Sequence, residues 1–170
     1  MAIRERIDLE WYEMAVAAEV GARRNLHAIF RNCKEGAGRN PAGLWMDHIN
    51  GALGEMAVAK YLGVYWPASV NTFRHEPDIP PNIEVRTRSK PNYQIVVRPN
   101  DDDTAIFVLA RGQNQFFDIV GWITGRDAKR SEWLHDYGGR PPAYFVPDDA
   151  LHGISTLREM MMVAREWERV

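Results

Sequence analysis

Residues 77–88, PDIPPNIEVRTR, combine three prolines with the clearest strand pattern in the chain. The prolines disfavour helix and predict an extended, turning connection. From residue 83 onward the sequence alternates strictly, as in a β-strand whose successive side chains point to opposite faces. One face carries Ile83, Val85 and Thr87, and the other carries Glu84, Arg86 and Arg88. We therefore expect a strand over residues 83–88 with one apolar and one charged face.

Helical and β-prone segments surround this strand. Apolar residues recur at spacings of three and four over residues 11–30 and 42–62, which predicts two helices before it. Thr156 and Glu159 have the spacing of a capping box, so a last helix is expected from about residue 156. This order predicts a single α/β or α+β sheet domain over residues 1–170. Further β-prone runs lie at 93–97, 105–110, 116–124 and 144–146.

Each of the first two helices has a predicted apolar face. Asp8 is the expected N-cap of the first helix. Gly51 and Gly54 lower the helix propensity of the second by about 1 kcal/mol each relative to alanine, so we expect another backbone to approach closely there. The expected apolar stripe of the first helix is Trp11, Ala15, Ala18, Ala22, Leu26, Ile29 and Phe30, and that of the second is Trp45, Ile49, Ala52, Leu53, Met56 and Ala57.

Composition is that of an ordinary globular chain. Among 170 residues, 45% are hydrophobic and 26% are charged, and the formal net charge is −2, so any basic binding site must be local. A single cysteine, Cys33, rules out an intramolecular disulfide and a cysteine-based zinc site, and is typical of a reducing, cytoplasmic compartment. The N-terminus lacks the apolar run of a signal peptide, and no membrane span is expected.

Asp78 and Glu84 are the residues of clearest chemical interest. Two carboxylates separated by a turn can converge on one divalent ion, and Mg²⁺ prefers oxygen ligands. The backbone carbonyl of Val85 would be a further oxygen ligand. Arg86 projects from the same strand face as Glu84, where a cation beside a metal can hold a phosphate group or stabilise developing negative charge.

Pro77-Asp78 followed by Glu84-Val85-Arg86 resembles the motif of the PD-(D/E)XK nuclease superfamily, and Glu55 in residues 51–55, GALGE, is similar to the acidic residue of the preceding helix. The resemblance implies a restriction-endonuclease-like core, a central mixed β-sheet flanked by helices, as in small phage and prophage proteins. It further implies a Mg²⁺-dependent nuclease acting on DNA, with Mn²⁺ as an alternative ion. Asp78, Glu84 and Arg86 would be catalytic, and Asp78, Glu84 and Glu55 would bind the metal.

Arg86 departs from this motif, which usually has lysine at that position. Arginine stays protonated, so Arg86 can bind phosphate but cannot act as a general base. In a straight strand Lys90 would lie about 13 Å beyond Arg86, so only a bend after residue 88 could bring it back. The alternative is an inactive nuclease-like fold that binds nucleic acid or a protein, for example as a phage-encoded inhibitor of a host system.

The segment around the strand is locally basic. Arg88, Lys90 and Arg98 are the expected nucleic-acid-binding residues, because phosphate contacts come from such side chains. A homodimer is compatible with a nuclease that cuts both strands, but the sequence indicates no interface. Residues 47–50, Asp-His-Ile-Asn, offer a rival interpretation as the first half of an HNH nuclease motif, although His48 falls within a helical pattern and no completing partner is evident.

Overall fold

The structure, a computed structural model, describes residues 4–31, 41–70, 76–138 and 141–167. Short 3₁₀ turns at Ser131–Trp133 and Asp148–Ala150 connect some of the later elements. The helices and strands are, in chain order, β1 (Glu5–Asp8), α1 (Trp11–Phe30), α2 (Pro41–Leu62), β2 (Ile83–Arg88), β3 (Ile95–Val97), β4 (Ile106–Gln113), β5 (Phe116–Thr124), α3 (Gly125–Ala128), β6 (Leu134–His135), β7 (Ala143–Val146) and α4 (Ile154–Trp167).

The strands form two sheets. The larger has the order β1-β5-β4-β2, and the smaller has the order β3-β7-β6. In the larger sheet β2 runs parallel to β4, while β4 and β1 both pair antiparallel with β5. The sheet is therefore mixed, which confirms the predicted α/β class. Strand β2 occupies the predicted residues and forms one edge of the sheet.

The charged face of β2 is partly covered and is not fully exposed to solvent. Glu84 and Arg86 are opposite Phe107 and Leu109 of β4 in the parallel register. Both of these β4 side chains are buried in a hydrophobic cluster shared with β3 and β7. The opposite face of β2 packs in the main core with α2. Since the smaller sheet adjoins the charged face, Glu84 and Arg86 lie between the two layers and are only partly exposed.

The apolar face of α1 is not the face that packs in the core. Its apolar stripe faces outward, with Trp11 78% and Phe30 91% exposed. The helix packs on α2 through a face of smaller side chains, where a Cβ atom added at Gly21 would overlap the backbone of Ile49. Small residues allow the two helix axes to approach closely, which the bulky stripe would prevent. The buried residues of α1 are Ala17, Val20, Gly21, Asn25 and Ala28.

Two predicted helix caps are wrong. Helix α1 is capped by Glu10 instead of Asp8, and the Glu10 N–H donates to the Glu13 carboxylate over 2.8 Å. Helix α4 begins at Ile154, so Thr156 lies in its first turn, where its hydroxyl donates to the Gly153 carbonyl. Side-chain competition for the same backbone groups decides such boundaries, and several acceptors lie within two residues of each start.

Gly54 fulfils the expectation of a close approach, whereas Gly51 does not. A Cβ atom at Gly54 would overlap the Thr87 side chain of β2, so glycine allows α2 to lie directly against the edge strand. Nothing lies within 4 Å of the equivalent position at Gly51. Among the described residues, no helix is long and apolar enough to cross a membrane.

Candidate metal and phosphate site

Asp78 is held beside β2 by the turn that precedes the strand. Ile79 and Ile83 exchange two backbone hydrogen bonds of 3.1 and 2.9 Å, which fold the proline-rich segment back on itself. The Asp78 carboxylate then accepts a hydrogen bond from the Val85 backbone N–H over 2.8 Å. Because β2 is an edge strand, this N–H is available to a side chain. This hydrogen bond holds the Asp78 carboxylate at the β2 edge of the larger sheet, in the same region as Glu84.

Asp78 and Glu84 share an acidic environment with Glu55. Burial raises the pKa of Asp78 to about 7, and the negative charges of Glu55 and Glu84 add to this shift. Burial also raises the pKa of Glu84, an effect that neighbouring Arg86 opposes. A divalent cation would relieve this repulsion, since it favours the charged form of each carboxylate. The two acids that the sequence proposes as metal ligands are thus within electrostatic range of each other.

Glu55 lies near Asp78, but its carboxylate oxygens already accept hydrogen bonds from other side chains. It is 5% exposed, and Arg24 of α1 donates to its two carboxylate oxygens over 2.5 and 2.8 Å. Trp66 Nε1 donates a further hydrogen bond of 3.0 Å. The oxygens of this carboxylate are therefore already engaged by protein donors. Glu55 therefore contributes negative charge near Asp78, while Arg24 and Trp66 compete with a direct role as a ligand.

Arg86 is a fixed cation in the site. Its guanidinium donates to the Val96 carbonyl over 3.2 Å and to the Asp101 carboxylate over 2.9 Å. It also lies 3.4 Å from Glu84 and stacks 4.8 Å above the centre of the Phe107 ring. These contacts restrict the Arg86 side chain to one position, with its positive charge beside Glu84. They also mean that Arg86 must share its donors with any incoming phosphate.

Asp101 is a site residue that the sequence did not single out. Asp102 and Asp103, the two residues that follow Asp101 in the aspartate run, are exposed in the structure. Asp101, in contrast, accepts from Arg86 and from the Arg98 backbone N–H over 2.8 Å. The sequence signal is its position in the loop between β3 and β4, and that signal does not distinguish Asp101 from the two aspartates that follow it.

A cleft of about 540 Å³ adjoins the charged face of β2. Arg86 and Arg88 line one side, and Asn50 of α2 lines another. Arg88 and Lys90 lie 4.9 and 5.3 Å from the centre of the Tyr93 ring, but Lys90 is exposed and does not line the cleft. The cleft therefore contains polar and cationic groups of the kind that bind phosphates.

The remaining predicted residues take other positions. Arg98 is exposed and lies outside the lining of the cleft. His48 is half-buried within α2, so it does not lie at a strand end as an HNH motif requires. This placement gives no support to the HNH interpretation.

The donor set fits a hydrated Mg²⁺ better than a cage of protein ligands. Within the described ranges, no group of three or more histidine, cysteine, aspartate or glutamate side chains is arranged to hold a metal ion. Mg²⁺ commonly keeps several waters and binds through one or two carboxylates. Asp78 and Glu84 provide that number, whereas the hydrogen bonds of Glu55 oppose a third.

Comparisons of the chain with protein-family models, with curated proteins and with solved structures find no match.

Proposed function

We propose that this chain is a Mg²⁺-dependent nuclease of the PD-(D/E)XK type that hydrolyses phosphodiester bonds in DNA. The observation that carries the proposal is the placement of Asp78. Its carboxylate is fixed by the Val85 N–H beside Glu84, in surroundings that raise its pKa to about 7. A buried carboxylate near other negative charges lowers stability, and a bound divalent cation would offset that cost.

The fold supports the same proposal. Glu55 lies on α2, which packs on β2 and β4, and Asp78 and Glu84 follow it at the edge of a mixed sheet. This order of helix, acidic turn and charged strand agrees with a restriction-endonuclease-like core. The cleft of about 540 Å³ is lined by Arg86 and Arg88, though not by Asp78 or Glu84, and offers room for a segment of a nucleic-acid strand beside these cations.

The residues of the site have distinct proposed roles. Asp78 and Glu84 would hold Mg²⁺, with Mn²⁺ as an alternative. When bound, the ion would lower the pKa of a coordinated water and stabilise charge on the phosphate. Arg86, fixed by Asp101, would orient the scissile phosphate, and Arg88 would bind an adjacent one. Arg86 accepts no proton, so it is excluded as the base.

A cleavage assay tests this function. Purified full-length protein is incubated with DNA and RNA substrates in Mg²⁺, in Mn²⁺ and in EDTA. We expect metal-dependent DNA cleavage that is lost in Asp78→Asn and in Glu84→Gln. Glu132→Gln, which neutralises an exposed carboxylate remote in sequence, is the matched control and should cleave normally. Metal-dependent cleavage that persists in both site variants would refute the proposal.

Arg86 favours a second candidate, an inactive nuclease-like module that binds nucleic acid or a host protein. The usual lysine is replaced, and the arginine already pairs with Asp101 and Glu84. Calorimetric titration with Mg²⁺ or Mn²⁺ separates the candidates. Absence of metal binding, together with DNA binding that depends on Arg88 and Lys90, would favour the inactive module.

A further inference from the structure

Helix α1 presents an apolar face that the described parts of the chain leave exposed. Glu19 and Arg23 lie within this face and form an exposed ion pair of 2.6 Å. The exposed side chains together present on the order of 700 Å² of apolar surface, more than the largest patch of a typical monomer. They are Trp11, Tyr12, Val16, Leu26, Ile29 and Phe30, with exposures between 49% and 91%.

The face is symmetric about the level of Gly21. Because a helix turns 100° per residue, its centre lies directly opposite Gly21, which is buried against α2. Three pairs of residues equally distant from Gly21 have matching character, whereas the counterparts of Trp11 and Ile29 in this scheme are Arg31 and Glu13. The pairs are aromatic Tyr12 with Phe30, aliphatic Val16 with Leu26, and oppositely charged Glu19 with Arg23.

From this symmetry we infer that α1 is a dimerisation helix, which binds α1 of a second copy in the antiparallel direction. A two-fold axis at the level of Gly21 relates the two helices. Each residue of a pair in one copy then lies at the same position along the helix axis as its pair member in the other copy. Tyr12 then meets the aromatic ring of Phe30 from the other chain, and the central Glu19 and Arg23 form two ion pairs between chains. An isologous interface requires this self-complementarity, whereas an unrelated partner does not.

The size of the face agrees with a specific interface. A standard interface buries about 800 Å² per partner, and the exposed side chains approach this value only when Trp11 and Ile29, about 100° from the centre of the face, are buried as well. The inference is independent of the proposed nuclease activity, since it uses none of the residues of the metal and phosphate site.

Charge reversal tests the interface through the molecular mass. We expect wild-type protein to sediment as a dimer, and Glu19→Arg or Arg23→Glu to raise the dissociation constant about tenfold or more, because like charges then meet between chains. The double variant Glu19→Arg/Arg23→Glu restores opposite charges and should recover the dimer. Tyr65→Glu changes an exposed aromatic residue outside α1 and should leave the mass unchanged. Circular dichroism checks that every variant is folded.

Disulfide trapping tests the antiparallel register. In a Cys33→Ser background, Tyr12→Cys and Phe30→Cys place thiols about 27 Å apart along one helix. The inference predicts a covalent dimer when the two single variants are mixed and oxidised, and little in either alone. A monomeric wild type, a dimer that neither charge reversal weakens, or preferential linkage within one variant would each overturn it. A monomer would mean that another part of this chain or a different protein covers the face.

Discussion

Replacing Asp78 with asparagine should stabilise the metal-free protein at alkaline pH. Burial and two neighbouring acids raise the pKa of Asp78 from 3.8 to about 7. Between these values the folded protein keeps a proton that the unfolded chain releases. The contribution of Asp78 to the free energy of unfolding is therefore fully present below pH 3.8. It is lost as the pH rises from 3.8 to about 7, and the stability is lowest above pH 7. Asparagine is neutral throughout and can still accept the Val85 N–H through its carbonyl oxygen.

The magnitude follows from the size of the pKa shift. Each pKa unit corresponds to about 1.36 kcal/mol, so a shift of roughly three units gives about 4 kcal/mol as an upper figure. Asp78 is only partly shielded from solvent, and screening reduces the expected gain to about 2–3 kcal/mol at pH 8. Near pH 4 the variant and the wild type should be nearly equal in stability, because both side chains are then largely neutral.

Urea denaturation in EDTA at several pH values measures this difference. The free energy of unfolding of Asp78→Asn minus that of the wild type should grow as pH rises from 4 to 8. Glu132→Gln controls for the loss of one formal charge and should show no such growth. Parallel pH profiles for Asp78→Asn and the wild type, or a lower stability of the variant at pH 8, would refute the reasoning about the acidic site.

Three further predictions concern the ion pair, the helix contact and the metal. Arg24→Met leaves Glu55 buried without its cation and should lower the free energy of unfolding by about 3–5 kcal/mol in urea titrations; an unchanged value would contradict this. Gly54→Ala forces a Cβ atom against Thr87 and should cost about 1–3 kcal/mol, recovered when Thr87→Ala is added; equal losses in single and double variants would disprove the contact. Mg²⁺ should raise the melting temperature of the wild type but not of Asp78→Asn in calorimetric scans, and equal shifts would show binding elsewhere.

The local elements of the fold could be predicted because each leaves a periodic signal in the sequence. The two-residue alternation at 83–88 predicts β2, and β2 occupies those residues. The predicted helices 11–30 and 42–62 correspond closely to α1 and α2. Asp78 and Glu84 were identified in the same way, since a turn followed by an alternating strand restricts where their side chains can point.

The contacts between elements could not be predicted, because they depend on residues far apart in the chain. The apolar stripe of α1 shows that the helix is amphipathic, but packing density decides which face is buried, and the small face containing Gly21 fits against α2. Likewise, nothing local shows that Arg24 neutralises Glu55 or that Asp101 holds Arg86.

The sequence by itself determined the strand, the helices and the acids that flank the proline turn, because backbone geometry and side-chain alternation act over a few residues. The tertiary structure decided which charges meet and which apolar face remains exposed. Electrostatic pairing and close packing act between side chains brought together only when the whole chain has folded.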